Sequence, residues 1–146
     1  MTNVTDSAVA DRLGRRRARL LPVMALVFLT QQMAFFANPP AERLVDHVRI
    51  GAWVMLSVVL LVVLQTGGGW FRSRAVRAML NDEATLANRA NATQWGFLTA
   101  MAMGIVLYVL QGAAPMGPRE VIHLIVSAGL IAALIRFGML ERRGYA

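Results

Sequence analysis

The chain has no cysteine, no lysine and only eight acidic residues among its 146, and none of those acids lies within its four long apolar stretches. The missing thiols exclude disulfides and thiolate metal sites, and they leave the redox compartment unmarked. The missing acids remove from those stretches the carboxylate with which small four-span exporters trade a proton for a cation. Thr30, Gln31, Gln32 and Ser57 can hydrogen-bond there but do not titrate at ordinary pH. Polar side chains are scarce in general: residues 50–64 offer only Ser57, and 96–110 only Thr99 and Tyr108. A soluble bundle needs a polar stripe toward water on every helix, so this scarcity argues against that class.

What the sequence does have is apolar length. Residues 20–37, 50–66, 95–113 and 121–137 each approach the roughly 17–25 residues that a helix needs to cross the hydrocarbon core. Backbone amides in that core must be bonded within their own segment, which makes each run a helix. The expected fold class is therefore all-α, an integral membrane four-helix bundle of two antiparallel transmembrane hairpins with an interfacial amphipathic segment between them. The organisation reads as a basic segment (1–19), a first hairpin (20–66), an interfacial loop or helix (67–81), a second hairpin (82–140) and a tail (141–146).

All fifteen basic residues are arginine, and the net charge is +7. In a soluble protein that excess would suggest nucleic acid, but here the arginines cluster at span ends, so topology accounts for them and no nucleic-acid partner is expected. Arg12, Arg15, Arg16, Arg17 and Arg19 precede the first span, Arg72, Arg74, Arg77 and Arg89 lie between the second and third, and Arg136, Arg142 and Arg143 close the fourth. Only Arg43, Arg49 and Arg119 fall on the other side, twelve against three. The positive-inside rule then puts both termini and the middle loop in the cytoplasm. The first run also looks like a secretory signal, yet Phe35-Phe36 spoils a small-residue cleavage site and the run is long for a signal core. It reads as a retained signal anchor.

The two outer turns share a pattern. Pro40-Ala41-Glu42 and Pro118-Arg119-Glu120 each place Pro at a helix start and an acid in its first turn, where the positive end of the helix dipole favours it. A histidine follows in each case, so the two hairpins carry a faint mark of duplication. Between them, Gly67-Gly68-Gly69 ends the second span, since each glycine costs about 1 kcal/mol in a helix relative to alanine. Residues 70–80 then alternate aromatic, apolar and basic side chains at roughly helical spacing. Trp70, Phe71, Arg72, Arg74 and Arg77 form the expected lipid-surface site, aromatics toward acyl chains and arginines toward anionic headgroups. Asn81 or Asp82 is placed to cap a third helix running from about residue 82 to 111.

The stretch Met79-Leu80-Asn81-Asp82-Glu83-Ala84-Thr85-Leu86-Ala87-Asn88-Arg89, with Leu44-Val45-Asp46-His47-Val48-Arg49, resembles small multi-span bacterial membrane proteins in which an Asn-Asp-Glu segment opens a helix before a span. The resemblance covers mainly the second half of the chain. It implies a bacterial inner-membrane location and brings no activity with it. Absent lysine beside abundant Arg and Ala also suits a high-GC genome.

Few side chains suggest a site. His47 and His123, the two histidines, start the second and fourth helices. Two imidazoles on different helices can form the axial pair of a haem, but no haem-attachment sequence is present, and ordinary interfacial hydrogen bonds to Glu42, Asp46 or Glu120 account for them as well. Met24, Met55, Met101 and Met103 read as packing, and Trp53, Trp70, Trp95 and Tyr108 as aromatic belts at span ends. Small residues carry more information. Gly96, Ala100 and Gly104 repeat every four residues, as do Ala128 with Ala132 and Gly129 with Ala133; such faces let membrane helices approach closely. They serve either the contact between the third and fourth helices or a second copy or larger membrane complex. The expected function is that of a non-enzymatic accessory, regulatory or self-associating subunit acting through helix contacts, with no metal, cofactor or catalytic residue called for. A small-solute transporter or channel is the alternative, followed by a haem- or quinone-binding redox subunit.

Overall fold

The computed structural model describes residues 2–37, 43–68, 78, 80–113 and 116–144. They form four helices, α1 (Thr2–Ala37), α2 (Arg43–Thr66), α3 (Glu83–Leu110) and α4 (Pro118–Arg143). Each is long and apolar enough to cross a membrane, and the protein is a multi-pass, all-α helix bundle.

Helix ends follow local chemistry. Asp82 caps α3, its Oδ1 accepting from the Thr85 backbone N–H at 2.8 Å, which satisfies one of the unpaired amides of the first turn. At α4, Pro118 opens the helix and the Glu120 carboxylate accepts from the Gly117 N–H at 2.9 Å. The matching Pro40-Ala41-Glu42 lies outside the described residues. α1 has no basic residue in its own last turn; instead Arg49 of α2 donates to the Ala34 carbonyl at 3.3 Å.

α1 exceeds its apolar run. Its 36 residues extend about 54 Å at 1.5 Å each, so the basic stretch 1–19 and the first span are one continuous helix from Thr2. Within it, Pro22 lacks the N–H that would bond the carbonyl of Ala18. Arg142 of α4 supplies the replacement, its Nε donating to Ala18 O at 3.3 Å. The same proline lies flat against α4: a methyl group at Gly138 would fall 2.7 Å from Pro22 Cδ.

α4 is the hub. Its seams with α3 and α1 are the most extensive, while α2 meets α4 and α3 more sparsely. Buried positions recur at steps of three and four, as Gly14, Ala18, Leu21, Ala25, Phe28 and Gln32 on α1, and as His123, Ser127, Leu130, Leu134, Phe137 and Glu141 on α4. Leu60 and Leu64 of α2 and Ala92 of α3 complete the apolar core around Phe28, Leu134 and Phe137. α1 therefore finds its principal partner in the last helix rather than in its hairpin neighbour, and clefts remain between α1 and α2.

Candidate functional site

The strongest constellation lies where α1 ends and α2 and α4 begin. His123 stands five residues into α4, yet it is only 4% exposed. Its ring is held between two aromatic faces: Phe35 of α1, with centroids 4.2 Å apart and planes at 11°, and Trp53 of α2, at 3.9 Å and 20°. Helical spacing brings these groups together. Gln32 and Phe35 share a face of α1 at i and i+3, Trp53 and Ser57 share one of α2, and His123 and Ser127 one of α4, both at i and i+4. His123 Nδ1 lies 3.4 Å from Gln32 Oε1. An amide oxygen only accepts, so it is placed to take a proton from Nδ1 in the Nδ1-H tautomer.

Around that ring, polar atoms collect without partners. Gln31 Oε1, Gln32 Nε2, Trp53 Nε1, Ser57 Oγ and Ser127 Oγ are all buried with no hydrogen bond. Each such group costs about 1–3 kcal/mol, and hydrocarbon offers no water to relieve it. A cavity of about 210 Å³ is walled by Gln31, Gln32, Phe35, Trp53 and His123 together with Ala34, Val48, Arg49 and Ala52, while Ser57 and Ser127 lie outside its lining. Apart from these few polar tips its walls are apolar. Arg49 closes one side, its guanidinium 5.9 Å above the Phe35 ring and 3.9 Å from Asp46.

At the other end of the bundle, Arg17 of α1 reaches across to α4. Its Nε donates to Glu141 Oε2 at 3.1 Å and its Nη2 pairs with the same oxygen. Arg17 also donates to Thr85 Oγ1 at 3.1 Å and to the Leu80 carbonyl at 3.2 Å, and Asn88 of α3 donates to Glu141 Oε1 at 3.2 Å. The guanidinium lies 5.4 Å from the centre of the Phe137 ring in the core. Three further polar contacts, to Leu80, Thr85 and Asn88, satisfy the pair, because an ion pair taken out of water holds only when its remaining donors and lone pairs are occupied. Arg17 and Glu141 thereby fasten α1, α3 and α4 together.

The residues singled out from sequence fall into three groups. Gly96, Ala100, Gly129 and Ala133 meet in the α3–α4 seam: a methyl group at Gly96 would lie 2.7 Å from Ala133 Cβ and 2.8 Å from Gly129 O, and one at Gly129 would lie 3.0 Å from Ala100 Cβ. Gly104 is looser, with Ile125 Cδ1 3.6 Å from the same construction, and Ala128 and Ala132 are half-buried. The histidines separate. His123 is buried at the aromatic sandwich, whereas His47 is exposed and does not wall the adjoining cavity. Trp70, Phe71, Arg72, Arg74 and Arg77 lie outside the described residues. Among the described residues no group of three or more histidines and acids is arranged to hold a metal.

Sequence reasoning missed Trp53 and Glu141. Trp53 carries the ordinary signature of a belt aromatic, and Glu141 lies beyond the last apolar run, whereas α4 continues helical to Arg143 and buries it. A usable signal was present in Gln31-Gln32 and Ser57, the rare polar side chains of their spans. Set against protein-family models, curated proteins and solved structures, the chain matches none.

Proposed function

We propose that this is a non-enzymatic accessory subunit of the bacterial inner membrane, with both termini cytoplasmic, that holds a small lipophilic carbonyl compound of the quinone class beside His123. The supporting observation is the set of unpartnered polar atoms at that site. Two donors, Gln32 Nε2 and Trp53 Nε1, belong to residues that wall the cavity, and the hydroxyls of Ser57 and Ser127 lie one helical turn further along α2 and α4. Their complement is a ligand rich in acceptors, and the largely apolar cavity walls select one whose carbonyl oxygens sit on an apolar body. Polar groups inside membrane spans are costly and mark substrate or ligand positions. The rigid sandwich of Phe35, His123 and Trp53 gives the site a fixed shape.

Titration of the purified protein in nanodiscs with decylubiquinone, followed by tryptophan fluorescence, tests this reading. The expected result is saturable quenching that largely disappears in W53F and shifts to about five- to tenfold weaker binding in Q32L, the change made by losing one hydrogen bond of about 1 kcal/mol. Quenching that rises without saturation, and identically in Q32L, would reflect quinone dissolved in the lipid and would remove the site.

A further inference from the structure

We infer that the cleft between α1 and α2 at the Arg17 end of the bundle binds an anionic phospholipid, one acyl chain lying between the helices and the phosphate against Arg16. This inference is independent of the His123 site, which lies at the opposite end of the same helices. The cleft encloses about 570 Å³. Its lower walls are Leu20, Leu21 and Met24 of α1 and Val63 of α2, and its mouth is framed by Arg16 and by Gly68, which has no side chain to obstruct it.

Three features select the occupant. Leu20, Leu21, Met24 and Val63 belong to spans while Leu13 and Leu80 line the cleft beyond the span ends, so the cleft straddles the level where acyl chains give way to headgroups. Arg16 stands four residues before Leu20, the first residue of the apolar run, which sets its charge at the level of lipid phosphates. Arg17 is already neutralised by Glu141, but exposed Arg16 has no hydrogen bond or ion pair among the described residues. Arg12, Arg16 and Arg19 share one face of α1 at i, i+4 and i+7, and all three are exposed. That ridge, of which Arg16 lines the apolar slot and Arg12 and Arg19 extend the same helix face, supplies positive charge of the kind that recognises anionic lipid headgroups. A zwitterionic lipid fits the slot equally well but gains less from the ridge, and free phosphate gains nothing from the slot.

Native mass spectrometry of the full chain in mild detergent, titrated with phosphatidylglycerol or with phosphatidylcholine of the same acyl chains, tests this. Phosphatidylglycerol should bind more tightly, and R16Q should lower its affinity about fivefold, the change that roughly 1 kcal/mol per arginine at an anionic surface makes. R119Q, which removes the same charge at the other end of α4, should leave binding unchanged. V63F should weaken both lipids by filling the slot, and inorganic phosphate should compete poorly. Arg16 is exposed, so R16Q retains the fold, which a melting curve checks. Equal binding of the two lipids, an R16Q chain that binds like the parent, or full competition by phosphate each overturns the proposal. So does a dimer that lipid displaces, since the slot would then belong to a second copy.

Discussion

A methyl group has no place at Gly96 and ample room at Gly51, and that contrast makes two residues of one type into opposite tests. At Gly96 the added carbon meets Ala133 and the Gly129 carbonyl, whereas nothing lies within 4 Å of it at Gly51. G96L should open the α3–α4 seam and lower the melting temperature in detergent, by an overpacking cost of about 1–3 kcal/mol or more. G51A should leave stability unchanged or raise it by up to about 1 kcal/mol, the helix-propensity gain. Equal melting of G96L and the parent would mean that the small-residue face is not where these helices touch. Glu141 makes the complementary case for charge. With 2% of its side chain exposed and 10% of Arg17's, E141Q leaves a buried guanidinium without a counter-charge. The expected loss is about 3 kcal/mol, and R17Q/E141Q should recover part of it. A double variant as unstable as the sum of its singles would show that the two side chains act separately.

Helices were legible in the sequence for a reason that also hid their faces. Crossing a bilayer demands about twenty apolar residues whichever way each side chain points, so the spans show plainly at 20–37, 50–66, 95–113 and 121–137. The same solvent makes the outward face as apolar as the inward one: Leu26 and Val27 are well exposed beside buried Ala25 and Phe28, and composition does not separate them. The caps at Asp82 and Glu120 were readable because they depend on neighbours three residues away. Contacts across helices were not, among them the Arg142 bond to Ala18 and the stacking of Trp53 on His123. The polar atoms of the candidate site were visible as Gln31, Gln32, Ser57 and His123, but only the fold shows that they face one seam. The extension of α1 to Thr2 was not legible because a polar helical stretch carries no apolar run to announce it.

For the molecule as a whole, the arginine asymmetry predicts an orientation that reporter fusions can read. Fusions after Gly69 and Tyr145 should be active on the cytoplasmic side, and fusions after Asn38 and Gly117 on the periplasmic side. Any exchanged pair would defeat the four-span threading. The position of α4 adds a demand in time. The helix that carries both major seams is the last of the four to leave the ribosome, so the earlier three enter the bilayer before their main contacts exist. Until α4 arrives, Arg17 has no carboxylate, the Ala18 carbonyl freed by Pro22 has no donor, and Gly96 and Ala100 face lipid instead of backbone. Assembly therefore runs backward along the chain, with the final span returning to lock the first, and the membrane must shelter three loosely associated helices for as long as that span takes to be made.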